Sequence, residues 1–142
     1  MSLFDFGQQS NVQWSTVLTG GSTNANVNGS AIDTFGFSGV SAALIVGGKG
    51  TATDGMNAGN GLLLSFWEGD DNTIATATRL SADNLIKSEV ATAVNTVAHY
   101  SVRTTKRYLF PEVHKQNASG IFSNANVAVA GFLGFPETAP TD

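Results

Sequence analysis

The residues of this sequence that could carry chemistry are few and scattered. Only two histidines are present, His99 and His114, and neither belongs to a metal-ligand spacing such as His-Glu-x-x-His. The acidic run Glu68, Asp70 and Asp71 offers oxygen ligands, but it lacks the EF-hand spacing. An Asp-Asp-Asn sequence is typical of a tight turn, because such side chains hydrogen-bond to their own backbone. We therefore interpret both histidines as strand residues and the acidic run as a turn.

The other catalytic signatures are also missing. In a P-loop the lysine directly precedes Ser or Thr at a helix N-terminus, whereas Gly50 follows Lys49 and no helix is predicted after it. No Gly-x-Ser-x-Gly elbow marks a nucleophilic serine. The lack of cysteine excludes disulfides, thiol catalysis and cysteine-ligated zinc. The sequence thus predicts a protein that is not an enzyme and uses neither a metal nor a cofactor.

Composition restricts the kinds of partner. The 142 residues suit one domain. Charged residues make up 13% of the chain, with a net charge of -4, against about 25% in a typical soluble domain. Such a surface attracts neither nucleic acid nor membranes strongly, and it loses little hydration energy when a protein covers it. The first residues show no signal-peptide pattern, and the longest apolar runs fall far short of the ~20 residues that span a bilayer.

The elements that must position any site are mainly strands. Eight segments combine β-branched or aromatic residues with turn residues at their ends: 12–18, 31–37, 40–46, 61–68, 72–79, 96–103, 106–115 and 121–132. This pattern predicts an all-β antiparallel β-sandwich of about eight strands with at most one short helix. A short helix or turn is expected within residues 81–94, where Ser81 could cap it and apolar residues recur at roughly helical spacing. A loop followed by an irregular edge strand is the alternative.

We divide the chain into an N-terminal arm (1–10), one β-sandwich domain (11–135) and a C-terminal tail (136–142). The arm carries Leu3, Phe4 and Phe6, which either dock on their own domain or pack on a neighbouring subunit. Two segments rich in Gly and Asn, residues 20–29 and 47–61, are predicted to be long flexible loops, because they contain too few apolar residues to order themselves.

One local concentration of positive charge remains. The basic residues are Arg103, Lys106, Arg107 and Lys115, and they lie close in sequence to the rings of Tyr100, Tyr108 and Phe110. Basic residues interleaved with aromatics can bind single-stranded nucleic acid, but the RNP-type pattern is missing and the net charge is negative. A positively charged strand face, or ion pairs with a partner's carboxylates, is the better interpretation. The predicted partner-binding residues are therefore Leu3, Phe4, Phe6, Arg103, Lys106 and Arg107.

Several segments resemble a known family. They are residues 100–113 (YSVRTTKRYLFPEV), 120–123 (GIFS) and 126–140 (NVAVAGFLGFPETAP), together with 33–37 (DTFGF) and 65–71 (SFWEGDD). This layout is similar to that of the capsid decoration, or cement, proteins of tailed bacteriophages. It departs from the family pattern in the long glycine-rich loop and in Phe135, where a histidine is common.

The resemblance implies a jelly-roll β-sandwich, often a homotrimer, that binds the major capsid protein on the outside of the virion after synthesis in the host cytoplasm. Two alternatives stay open. One is another phage structural component, such as a tail, connector or fibre module. The other is a carbohydrate-binding β-sandwich in which Trp14, Trp67, Tyr100 and Tyr108 stack on sugars, although core packing explains these residues more simply.

Overall fold

Two antiparallel sheets pack face to face and enclose the apolar core. The computed structural model describes residues 12–18, 26–48, 56–117 and 125–136. The strands in these ranges are β1 (Val12–Leu18), β2 (Val27–Asn28), β3 (Ile32–Asp33), β4 (Phe37–Gly48), β5 (Leu62–Gly69), β6 (Thr78–Arg79), β7 (Leu85–Lys87), β8 (Thr96–Arg103), β9 (Tyr108–Lys115) and β10 (Ala125–Pro136). Sheet A has the order β1-β10-β4-β8-β7. Sheet B has the order β2-β9-β5-β6, and β3 also pairs with β9.

Period-two alternation explains which side chains form the core. Successive side chains of a strand point to opposite faces of its sheet, and along β4 the buried residues are Val40, Ala42, Leu44 and Val46. Their partners on β8 include Ala98, Tyr100 and Val102, which are also buried. Sheet B contributes Leu62, Leu64, Phe66, Leu109 and Val113 to the same cluster. The rings of Phe66 and Tyr100 meet edge to face across the two sheets, with centroids 6.0 Å apart.

Pro111 lies within β9 at a point where one neighbouring strand is interrupted. Strand β2 pairs with residues 112 and 113, and β3 pairs with residues 108 and 109. The gap between these short strands therefore falls beside Pro111, which has no N–H to donate to a sheet. Its carbonyl still accepts a hydrogen bond of 2.7 Å from the Gly29 N–H. The proline thus favours two short edge pieces over one continuous strand.

A second feature, the edge bridge, joins the two sheets along one side. It consists of Gly61, Leu62, Leu64, Glu89, Ala91 and Tyr100. The buried Tyr100 hydroxyl accepts the Leu64 N–H at 3.0 Å and donates a short hydrogen bond to the Glu89 carbonyl oxygen. Leu62 and Ala91 exchange backbone hydrogen bonds of 2.9 and 2.8 Å. Tyr100 of sheet A therefore satisfies a backbone N–H at the edge of sheet B.

The charged side chain of Glu89 also stabilises the edge bridge. The Glu89 carboxylate accepts the backbone N–H of His99 at 2.6 Å and lies 3.0 Å from the Lys87 ammonium. The His99 N–H, then the Lys87 ammonium, lower the pKa of Glu89 to about 2. Burial raises the pKa of Tyr100 to about 12, and the Glu89 charge adds to this effect. Both side chains therefore stay in one protonation state over the physiological pH range.

The structure confirms an all-β protein of two antiparallel sheets, while the jelly-roll connectivity stays a prediction. Of the two interpretations of residues 81–94, the helix is wrong, and the loop followed by an irregular edge strand is confirmed. In its place a 3₁₀ turn at Ala82–Asn84 leads into β7, with Ser81 accepting the Asp83 N–H. The predicted strand 31–37 is also shorter, because a turn follows Asp33. No helix within the described ranges is long and apolar enough to cross a membrane.

Candidate interaction surface

Two links of the chain cross from one sheet to the other at the same end of the sandwich. Residues 34–36 connect β3 in sheet B to β4 in sheet A, and residues 104–107 connect β8 in sheet A to β9 in sheet B. Thr34 and Thr104 are both buried and hold the links together. The Thr34 N–H donates to the Arg107 carbonyl at 2.7 Å, and the Thr104 N–H donates to the Ser38 carbonyl at 3.1 Å.

The buried hydroxyls complete this framework. The Thr34 hydroxyl lies 2.7 and 2.8 Å from the carbonyl oxygens of Lys106 and Arg107. The Thr104 hydroxyl donates to a Glu68 carboxylate oxygen at 2.6 Å and accepts the Lys106 N–H at 3.0 Å. Because both hydroxyls are buried and bonded to the links, the backbone at this end has a defined geometry.

Phe35 stands at the tip of the first link. The Phe35 N–H donates to Asp33 Oδ1 at 3.0 Å, and the Phe37 N–H donates to the Thr34 carbonyl at 2.8 Å. Gly36 occupies the third position of this turn with φ of 81°, the left-handed value that type II turns require there. The turn leaves the Phe35 side chain 76% exposed, the largest exposure among the large hydrophobic residues described.

The Arg107 guanidinium fixes the surroundings of Phe35. Its carbon lies 5.3 Å from the centroid of the Phe35 ring and 5.1 Å from that of Tyr108. Its Nε and Nη2 atoms donate to the two oxygens of Asp33 at 3.3 and 3.0 Å. This fork geometry and the ring contacts are both particular to arginine. The hydrogen bonds from Arg107 lower the pKa of Asp33, and those to Asp33 raise the pKa of Arg107.

Lys106, the second cation at this end, is also paired within the chain. Its ammonium lies 2.6 Å from Asp70 Oδ2, and this hydrogen bond raises the pKa of Lys106. A depression of about 510 Å³ lies between this pair and the turn that carries Phe35. We call the set Asp33, Phe35, Gly36, Asp70, Lys106 and Arg107 the end surface. Its two acids and two bases give it no net formal charge.

The outer face of sheet A is a second exposed area. Ser41, Ala43 and Ser101 lie on its floor, at paired positions of β4 and β8. Ile86 and Phe132 are 60% and 41% exposed at its two sides. A groove of about 500 Å³ lies on this face near Gly39 and Arg103, and Ile86 lines it.

The predicted partner-binding residues do not lie on one surface. Lys106 and Arg107 lie together on the end surface, where both are paired with carboxylates of the same chain. Arg103 ends β8 and lines the groove of sheet A, and within the described ranges it makes no ion pair. Leu3, Phe4 and Phe6 lie outside the described residues.

Other residues named from the sequence also have a place. Glu68, Asp70 and Asp71 do lie where β5 ends and turns, and the Thr76 hydroxyl donates to Asp71 at 2.7 Å. His99 is exposed on β8, whereas His114 is half-buried. Among the residues that the structure describes, no three His, Asp or Glu side chains come together as a metal site.

The sequence interpretation missed Phe35. This residue falls inside the predicted strand 31–37, although Asp33-Thr-Phe-Gly36 carries a turn signal: an Asx residue, then glycine three positions later. Of the two interpretations of Tyr100, core packing holds and sugar stacking does not, because the residue is only 1% exposed. The signal for this is the period-two pattern of β8, in which Tyr100 lies on the same face as the apolar residues Ala98 and Val102.

Comparison with known proteins gives little further information. No protein-family model matches the chain, and no curated protein matches it in sequence. Among solved structures, the chain is similar to the crystal structure of the SPBc2 prophage-derived protein YomS, with 12% sequence identity and a TM-score of 0.42. The match covers 87% of this chain and 93% of YomS. A likeness this distant does not assign the chain to a family.

Proposed function

We propose that this protein is a structural component of a tailed-phage virion that binds the outer surface of the capsid and stabilises it through protein–protein contacts. The observation that carries the proposal is the end surface. A defined turn presents a large aromatic side chain to solvent, while the charges around it neutralise one another. Such a surface loses little hydration energy when a protein covers it, and aromatic residues are enriched at the centres of protein interfaces.

The resemblance to capsid decoration proteins supports the same proposal. Residues 100–113 of the resembling region contain the end of β8, the link with Lys106 and Arg107, and most of β9. Residues 33–37 contain the turn that carries Phe35. The segments that resemble the family therefore include both links of the end surface.

A small protein of this kind can bind a shell stably if it buries enough surface and repeats its contacts by symmetry. A stable interface buries roughly 1,200–2,000 Å² in total. A homotrimer, which we include in the proposal, would repeat each contact by symmetry and gain in apparent affinity without any new contact. The partner is then the major capsid protein, and the protein's place is the capsid surface, with no part in catalysis.

The two alternative functions would need different surfaces of the protein. A tail, connector or fibre module would use the same kind of protein-binding surface, so copy number separates it from a decoration protein. A carbohydrate-binding role has lost one of its stacking candidates, because Tyr100 lies in the core. No observation on the described residues favours it.

The test uses purified protein and expanded, DNA-free shells of the phage that encodes it. We expect the protein to co-sediment with shells at saturation in hundreds of copies per shell and to raise their melting temperature. Mass spectrometry of purified virions should also find it. Absence from virions, or only a few copies per particle, would contradict a decoration role. Unexpanded shells serve as the control.

A further inference from the structure

We propose that the end surface docks on the shell by inserting Phe35 into an uncharged, apolar socket of the major capsid protein. This inference rests on the proposed function and adds the chemistry of the contact. It names one anchor residue and one orientation, with the crossing links toward the shell and the opposite end of the sandwich away from it.

Phe35 has the properties of an anchor before any partner arrives. The Asp33 carboxylate accepts the Phe35 N–H, and Gly36 permits the turn that presents the ring. The guanidinium of Arg107 lies against the ring. A side chain that is already ordered loses less entropy on binding, so more of its burial appears as affinity. Phenylalanine, the other aromatic residues and arginine are also enriched in protein interfaces.

The charges of the end surface determine the chemistry of the socket. Asp33 satisfies Arg107 with two hydrogen bonds, and Asp70 satisfies Lys106. An acidic partner would have to compete with these carboxylates, and a basic partner would meet two cations. An uncharged apolar pocket needs neither pair to break. The fitting partner therefore has a hydrophobic socket, with polar groups only at its rim.

A second copy of the chain fits this surface less well. The groove on sheet A is a concave candidate to receive Phe35, but Arg103 lines it. Phe35 carries Arg107 against its ring. Seating Phe35 of one copy in the groove of another would therefore bring Arg103 beside the Arg107–Asp33 pair, whose carboxylate is already engaged, so Arg103 would lose hydration without gaining a free acceptor. The shell protein is the occupant that we infer.

The experiment compares two Phe→Ala variants on the same protein. Phe35→Ala should weaken binding to expanded shells at least about ten-fold, since a buried phenyl group dominates an interface of this type. Phe132→Ala, on the outer face of sheet A, should change the dissociation constant less than about two-fold. Urea unfolding of Phe35→Ala should match the wild type, because an exposed ring contributes little to folding. Phe35→Leu should recover part of the affinity.

Salt dependence tests the chemistry of the socket. Wild-type binding should change less than about three-fold between low salt and half-molar sodium chloride, because no new ion pair forms. A steep fall with salt would overturn the apolar socket in favour of an acidic partner. Equal binding by Phe35→Ala and wild type would overturn the anchor while the decoration role stood. Failure of the wild type to bind any shell would overturn the proposed function itself.

Sedimentation of the free protein and its variants tests whether Phe35 contacts a second copy of the chain instead of the shell protein. Phe35→Ala should leave the oligomeric state of the free protein unchanged. A shift from oligomer to monomer would show that Phe35 contacts a second copy, and it would overturn the shell as its partner.

Discussion

The edge bridge and the end surface both use an aromatic residue, a carboxylate and a glycine, yet they leave the aromatic ring in opposite environments. At the edge bridge, Tyr100 is buried and its hydroxyl joins the two sheets through Leu64 and Glu89. At the end surface, a hydrogen-bonded turn fixes the backbone of Phe35 and Arg107 lies against its ring, yet the ring remains in solvent. The buried Tyr100 ring therefore contributes to the stability of the fold, whereas the exposed Phe35 ring contributes little to it.

This contrast separates folding from function in the molecule. Exposing a phenyl ring forgoes roughly 1.5–3 kcal/mol that its burial could contribute. Asp33, Gly36 and Arg107 maintain that exposure through a turn and an ion pair that leave the ring uncovered. We propose that a partner buries this ring, and substitutions in the two regions test the contrast between them.

Gly61→Ala should have the largest effect on stability. A Cβ atom at Gly61 would lie 2.4 Å from Val90 Cγ1 and 2.5 Å from the Ala91 carbonyl oxygen. Because one of these atoms belongs to the backbone, the edge bridge must shift. We expect a loss of about 3 kcal/mol in the free energy of unfolding, measured with urea. Gly59→Ala is the matched control, since its Cβ would meet only Asn57 Oδ1 at 3.6 Å. Equal effects at both glycines would refute this packing.

Tyr100→Phe should come next. Loss of the hydroxyl removes the acceptor for the Leu64 N–H and the donor to the Glu89 carbonyl. Two polar backbone groups then lose their partner, at a cost of about 2 kcal/mol. Tyr108→Phe keeps a ring beside Arg107 and should cost far less, by the same unfolding measurement. If Tyr100→Phe were neutral, the hydroxyl would not join the sheets.

Gly36→Ala should have a smaller effect, at the end surface. Apart from its chain neighbours, no atom lies within 4 Å of the position that a Cβ would take, so only the φ of 81° opposes the substitution. The expected loss is roughly 1 kcal/mol, and Gly36→Asn should lose less, because asparagine tolerates this region. Gly134→Ala is the control, with open space and no positive φ. A loss at Gly134 equal to that at Gly36 would contradict the turn geometry.

The weakest effect should be the pH dependence that Glu89 confers. Its folded pKa of about 2 lies below the usual 4.5, so its contribution is complete above pH 4.5 and disappears as the pH falls toward 2. Glu89→Gln should be less stable than the wild type at neutral pH, and the difference should shrink over that window. Urea unfolding at a series of pH values measures this. A constant difference down to pH 2 would show that the carboxylate charge has no role.

Sequence patterns were sufficient for strands whose ends carry clear turn residues. Residues 12–18 and 96–103 form strands with the predicted bounds. Strand β4 instead runs through the predicted break at Ser38-Gly39, because Gly39 pairs with Arg103 on one side and Gly134 on the other. Pairing with strands on both sides therefore outweighs the low intrinsic strand propensity of glycine.

Tertiary structure explains why residues 81–94 form no helix and why the three basic residues do not share one surface. Leu85 packs against the core whereas Ile86 and Val90 are exposed, so the helical spacing over residues 81–94 does not correspond to one buried face. Arg103, Lys106 and Arg107 are close in sequence, but the link at residue 104 leaves one sheet for the other and separates Arg103 from the pair. The approach of Asp33 to Arg107 joins two distant segments, and no local pattern encodes it.

The most direct test is an electron cryomicroscopy reconstruction of expanded shells saturated with the protein. We expect hundreds of copies on the outer surface, each with residues 33–37 and 104–107 against the shell and the Phe35 ring in an apolar pocket of the capsid protein. Density that shows the opposite end of the sandwich, or the outer face of sheet A, against the shell would contradict this docking.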